Sequence, residues 1–288
     1  MYYESDAIKN LYRIFDQNER KDYLRLDLNE NPGGLPQDFI DKVLSDVTPQ
    51  FVAQYPETLH FSQVLADHLG TDISHLCLVN GSAEGIRYII QAFTAPRGRI
   101  VGVVPSYFMF QVYSQMYDRE FVGVPYEADL SMNISNILQA MTDDTQLLIL
   151  LNPNNPMGNV YSDEEFETIL AEAKRKQITL LIDEAYHYFY PKTFAKYALQ
   201  EEHVFVTRTF SKLFSINLCR FLYLFFLVLL FVRRGLDMRS VYENNAWIYH
   251  LVVYRLVQDM LKYLLRQLRW KSLTERIAHR GKVRDVLQ

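Results

Sequence analysis

Cysteine is scarce in this chain: 288 residues carry two, Cys77 and Cys219. Two thiols make neither a disulfide framework nor a metal-ligand spacing, so no metal is expected and a reducing cytoplasm is the expected compartment. The apolar run Phe221 to Val232 stops at twelve residues. A bilayer-crossing helix needs roughly 18 to 20, so no membrane span is expected. The first residues, Met1-Tyr-Tyr-Glu-Ser-Asp6, have neither a basic start nor an apolar core, and no secretion signal is expected. A formal net charge of −4 gives no special affinity for nucleic acid. Internal repeats and low-complexity segments are absent.

Other scarcities are local. All ten prolines lie at or before Pro191, and beyond Lys212 only Gly235 and Gly281 remain of the glycines. Residues 1–212 carry 17 Lys+Arg against 29 Asp+Glu, a balance of −12, while residues 213–288 carry 13 against 5, a balance of +8. Arginine outnumbers lysine ten to three in that last stretch. Such a shift marks a boundary. From Tyr242 to about Arg276 the apolar positions, Trp247, Leu251, Tyr254 and Val257 among them, fit a basic amphipathic helix.

What is present before the boundary is regular. Short apolar runs at Leu76–Val79, Ile100–Val104, Phe121–Val124, Leu147–Leu151, Leu180–Ile182 and Val204–Val206 read as buried strands. Ser82 is placed to cap a helix carrying Ile86, Ile89, Ile90 and Phe93 at helical spacing. Pro105-Ser-Tyr107 opens another helix. Ser162 with Glu165 three residues on is a capping box, starting a helix that runs to Lys176. Short buried strands alternating with helices predict an α/β domain with a mostly parallel sheet.

The chemistry-bearing residues gather at the ends of those strands. Lys212 closes Thr209-Phe-Ser-Lys212 just after the last strand, and Arg220 follows eight residues later. Upstream stand Asn152-Pro-Asn-Asn-Pro-Met-Gly158 and Asp183-Glu-Ala-Tyr186. An amine, a strand-end carboxylate, an amide, a phenol and a later guanidinium together suit pyridoxal phosphate. Taken singly, each has a plainer account. Gly81-Ser-Ala-Glu-Gly85 could cradle a phosphate at a helix start, or simply start a helix. Asn152 to Pro156 could be a ligand loop or a tight connection, and Asp183 a ligand contact or a helix cap. Tyr107 could stack on a ring, but the chain has 20 tyrosines.

With these motifs assembled, residues from about Leu26 to Arg220 resemble the class I/II, fold-type I pyridoxal-phosphate-dependent aminotransferases, most closely the histidinol-phosphate aminotransferase-like branch. Leu28-Asn-Glu-Asn-Pro32, Tyr55-Pro-Glu57, the Gly81 turn and Pro105-Ser-Tyr107 carry the resemblance together with the motifs around Asn155, Asp183 and Lys212. It implies the transferase fold of that type, a mostly parallel large domain with helices on both faces. Residues 1–45 would form an N-terminal arm and part of a small domain, and residues 46–215 the cofactor-binding large domain. Residues 216–288 would form a basic tail in place of the usual small domain, leaving that domain incomplete. Lys212 would form the Schiff base, Asp183 would keep the pyridinium nitrogen protonated, and Tyr107 would stack on the ring. Asn155 and Tyr186 would hydrogen-bond its phenolic oxygen. Backbone at Ser82 and Ala83, with Thr209, Ser211 and Arg220, would hold the phosphate. Tyr55 would reach the phosphate of a second subunit, implying a homodimer, and the segment around Asn29 and Asn31 would close over the substrate.

The implied reaction passes an amino group from an amino acid or a phosphorylated amine to a 2-oxo acid. A lyase such as a threonine-phosphate decarboxylase would use the same Lys212 and Asp183, and a non-catalytic protein acting through its basic tail is a third reading. After Arg220 the resemblance ends: Phe221-Leu-Tyr-Leu224 stands where the family has a glycine, and no substrate-binding arginine motif follows. Charge sign, Pro and Gly content and Arg:Lys ratio change together there, as a reading frame shifted between Ser215 and Arg220 would produce; the alternative is a genuine short variant whose basic tail has another task. With a shifted frame, translation of the coding DNA in the other two frames is expected to yield small-domain sequence, and finding none in either would overturn that explanation.

Overall fold

The computed structural model describes residues 28, 29, 31, 33–54, 58–190, 192–212 and 227–231. Tyr55, Arg220 and the amphipathic segment from Tyr242 lie outside them. Among the described residues seven strands form one sheet: β1 (Leu76–Asn80), β2 (Arg99–Val104), β3 (Glu120–Pro125), β4 (Thr145–Leu151), β5 (Thr179–Asp183), β6 (Val204–Thr207) and β7 (Leu227–Phe231). Their order across the sheet is β1-β7-β6-β5-β4-β2-β3. Of these described strands, only β7 runs antiparallel to its two neighbours. The other pairings are parallel, as the buried apolar runs predict.

Eight α-helices accompany the described strands: α1 (Gln37–Ser45), α2 (Pro49–Ala53), α3 (Leu59–Leu69), α4 (Gly81–Phe93), α5 (Met109–Met116), α6 (Ile134–Ala140), α7 (Asp163–Lys176) and α8 (Ala195–Gln200). Successive strand side chains point to opposite faces, which sorts the core into two layers. Leu147, Ile149 and Leu151 of β4 join Leu181 and Phe205 in a cluster with Ile86, Ile89 and Ile90 of α4 and Phe110 of α5. Their sequence neighbours Leu148, Leu150, Leu180, Ile182, Val204 and Val206 join Phe166, Ile169 and Ala173 of α7 and Tyr197 of α8. Helices therefore cover both faces, as expected. Phe39 and Val43 of α1 belong to the second cluster too.

The ends of the elements refine the expected boundaries. The capping box of α7 forms as read: Ser162 Oγ accepts from Glu165 N at 3.1 Å, and Glu165 Oε2 accepts from Ser162 N at 2.8 Å. The cap of α4 does not. The helix starts two residues earlier, at Gly81, with Asn80 rather than Ser82 as its N-cap. Gly81 enters at φ 79°, a left-handed value that its missing Cβ permits. Glu84 Oε2 reaches back to the Asn80 N–H at 2.6 Å, while the Asn80 side chain makes no capping hydrogen bond of its own. Likewise α5 opens at Met109 behind Phe108, leaving Tyr107 in the loop. Part of the twelve-residue apolar run becomes β7, a strand the sequence pattern does not single out. Among the described residues no helix is long and apolar enough to cross a membrane.

Candidate active site

Parallel pairing puts the C-terminal ends of β2, β3, β4, β5 and β6 on one edge of the sheet. Because β7 is antiparallel to both β1 and β6, the end of β1 lies on that edge as well. The start of α4, the Pro105–Tyr107 turn, the Asn152–Gly158 loop, Asp183–Tyr186 and Thr209–Lys212 therefore follow strand ends that share one edge. The chain progresses outward from β4 through β5 and β6 on one side and from β2 to β3 on the other. In open α/β sheets the crevice where the order reverses takes ligands. Across it, Asn154 Nδ2 donates to Ser106 Oγ at 3.2 Å.

Asp183 is the last residue of β5 and is 1% exposed. Its Oδ1 accepts from Thr207 Oγ1 at 3.0 Å and from Ala185 N at 3.1 Å, so it caps the turn after the strand. Burial pushes this carboxyl up to about 7, against the pull of those hydrogen bonds and of the nearby Lys212 charge. A buried carboxylate in that condition is stabilised by any further positive charge beside it.

Lys212 Nζ donates to the Leu28 carbonyl at 3.1 Å and lies 5.8 Å from the centre of the Tyr186 ring. Tyr186 OH accepts from Asn29 Nδ2 at 2.9 Å, and the same amide donates to Asn155 Oδ1 at 3.2 Å. Burial raises the Tyr186 phenol; the Asn29 hydrogen bond opposes this and the Asp183 charge adds to it. Asn29, Asn155 and Tyr186 are thus brought together, 126 and 157 positions apart in sequence. Asn31 turns elsewhere, its Oδ1 accepting from Gly33 N at 3.0 Å. Tyr107 is half-buried and stands edge-on to Phe110, with ring centres 5.4 Å apart.

Two features suit a phosphate. At α4, a helix of 13 residues, the first-turn residues Ser82 and Ala83 are only half-buried, and first-turn N–H groups have no partner within their helix. Thr209 Oγ1 donates to Ser211 Oγ at 2.9 Å and accepts from Ser211 N at 3.1 Å, forming a compact hydroxyl pair just before Lys212.

One buried pair is not marked by any of the sequence motifs. Glu184 and Arg208 bridge at 2.9 Å, with side chains 1% and 8% exposed. The available signal was two adjacent carboxylates, Asp183 and Glu184, at the end of an apolar strand, where only one can face a ligand.

A family model, Aminotransferase class I and II, matches residues 21–220. The chain belongs to that family. The match stops at Arg220, where the charge balance turns. Over 195 residues the chain is 32% identical to histidinol-phosphate aminotransferase 2 of Burkholderia pseudomallei strain 1710b, covering 66% of this chain and 54% of the relative. It is 27% identical over 199 residues to the histidinol-phosphate aminotransferase of Akkermansia muciniphila, covering 68% and 54%. The chain spans about half the length of the curated relatives it matches. Among solved structures, the Sinorhizobium meliloti histidinol-phosphate aminotransferase in complex with pyridoxal-5'-phosphate superposes with a TM-score of 0.77 at 20% identity, covering 97% of this chain and 75% of that one. A Thermus thermophilus aspartate aminotransferase double mutant gives 0.77 at 15% identity, covering 96% and 76%. These two likenesses establish the expected transferase fold.

The Asp183 carboxyl generates a test. Its folded value of about 7 lies above the ~3.9 of an unfolded chain, so between these values the folded state holds a proton the unfolded state has lost. Asp183 then costs no stability below about pH 4 and progressively more towards pH 7, to about 4 kcal/mol at most. In urea melts without added cofactor, Asp183→Asn is expected to gain on the unsubstituted chain between about pH 4 and pH 8. A constant difference between the two proteins across that range would contradict the assignment.

Proposed function

We propose that this chain is the cofactor-binding part of a pyridoxal-5'-phosphate-dependent aminotransferase. Its amine donor would be an amino acid or a phosphorylated amine such as histidinol phosphate, and its acceptor a 2-oxo acid. The observation that supports this most is the buried Asp183 carboxyl beside the Lys212 amine, in a chain of the aminotransferase family.

When bound, the cofactor supplies a protonated pyridine ring that takes up the electron pair left as the donor's Cα–H bond breaks. Asp183 would hold the proton on the ring nitrogen, and its own carboxylate form would gain the positive partner that burial denies it. Asn155 and Tyr186 would hydrogen-bond the phenolic oxygen, a pairing supported by the Asn29 amide that already reaches both. Tyr107 would cover the ring face. Ser82 and Ala83 N–H groups, the Thr209 and Ser211 hydroxyls and Arg220 would offset the phosphate charge. Lys212 would carry the aldehyde carbon until the donor amine displaces it. Its freed amine would then take the proton from Cα and return it to the cofactor carbon.

Asn29 donates to Tyr186 and the Leu28 carbonyl accepts from Lys212, which supports a role for these two residues in covering the substrate. Tyr55 would complete the phosphate site of a second copy, so the working form is a homodimer.

The test is the visible absorbance of the purified chain after adding pyridoxal phosphate. A band that bleaches with histidinol phosphate and returns with a 2-oxo acid is expected. Lys212→Ala is expected to remove the band and slow any exchange roughly 10²- to 10⁴-fold. Absence of a band in the folded, unsubstituted chain would refute the proposal. Carbon dioxide release without a 2-oxo acid would reassign it to a lyase.

A further inference from the structure

The Glu184–Arg208 pair lies one residue past each of two strands whose ends build the site. Asp183 and Glu184 are consecutive at the end of β5, and Thr207 and Arg208 are consecutive at the end of β6. The side chains pair in order: Asp183 with Thr207 at 3.0 Å, then Glu184 with Arg208 at 2.9 Å from both Nε and Nη2. Between them the backbone adds Glu184 N to Thr207 O at 2.8 Å. The ladder of the sheet is thus prolonged by side chains into the segment that leads to Lys212.

The far side of the pair is anchored as well. Glu184 Oε1 accepts from Phe194 N at 2.7 Å, and both its oxygens accept from Thr193 Oγ1, at 2.9 and 2.8 Å. Arg208 Nη2 donates to that same Thr193 hydroxyl at 2.6 Å. Phe194 in turn stacks on Phe166 of α7, with ring centres 4.1 Å apart. Each buried charge therefore has a partner, and the guanidinium fork fixes direction as well as distance. Beyond it, Phe210 is buried in the core cluster, while Thr209 and Ser211 make their hydroxyl pair.

We propose that Arg208, held by Glu184 and Thr193, is a positioning residue that sets the direction in which Thr209, Ser211 and Lys212 leave β6. This rests on the cofactor site proposed above but has a consequence that does not need the cofactor. An ordinary buried ion pair is replaceable by neutral side chains at little cost to stability. A positioning pair is not, because the segment it aims loses its anchor while the rest of the fold stays.

The experiment compares the full unsubstituted chain with Arg208→Lys and with the double variant Glu184→Gln, Arg208→Met, which leaves no buried charge unpaired. Hydrogen exchange is read on peptides covering 207–212 and, as a control, β4 and α7. Pyridoxal phosphate trapped on Lys212 by borohydride is read at sub-saturating cofactor, and visible circular dichroism is scaled to the cofactor bound. In both variants exchange at 207–212 is expected to quicken at least about tenfold with the control peptides unchanged. Trapping is expected to fall at least about tenfold, and the dichroism per bound cofactor to change. Unchanged exchange at 207–212 in the folded double variant would overturn the inference, as would faster exchange with undiminished trapping. Loss of the whole fold in both variants would make the pair a general stabiliser and overturn it too. If the unsubstituted chain takes up no cofactor, the proposed function fails on that result alone, and exchange at 207–212 decides the positioning role.

Discussion

A carboxylate with 1% exposure at the end of a parallel strand, with an amine close by, is the constraint on which the site is organised. Asp183 has two neutral hydrogen-bond donors and one nearby cation, and burial still drives it towards its protonated form. Such a group is costly to stability alone. It becomes an advantage when a ring nitrogen that must stay protonated is set against it. On the function proposed, that cost would gain a purpose, since the ring would have to accept an electron pair.

The sheet explains how residues scattered from Asn29 to Lys212 come to one place. Strand ends on a shared edge supply Asn80, Asn152, Asp183 and Thr207, and the alternation of side chains decides which neighbour faces the site. At β5 and β6 this alternation splits two consecutive pairs. Asp183 and Thr207 form one hydrogen-bonded couple beside Lys212, while Glu184 and Arg208 form a second that ties the same strand ends to Thr193 and Phe194. Adjacent residues would thus supply chemistry and support, and neither loop is held by backbone alone.

Much of this is readable in sequence because it is local. The runs around Leu148, Leu181 and Phe205 are short and wholly apolar, which only a strand covered on both faces requires. Ser162 and Glu165 are three apart, so their capping box is written in the spacing. The site motifs sit at the ends of those runs. What escaped is long-range or ambiguous. Asn29 meets Asn155 and Tyr186 only through the fold. Glu184 beside Asp183 reads as one more charge until strand alternation turns it to the opposite side. At Gly81 a permissive φ lets the helix start with its cap at Asn80, two residues ahead of a plausible serine cap. Leu227–Phe231 lies within a uniform run with no turn residue to mark where a strand begins.

The most direct measurement is nitrogen magnetic resonance of pyridoxal phosphate labelled with ¹⁵N in its ring, bound to the unsubstituted chain and to Asp183→Asn. A protonated ring nitrogen is expected in the first and an unprotonated one in the second, at the same neutral pH. An unprotonated nitrogen in the unsubstituted chain, or no difference between the two, would contradict the role given to Asp183.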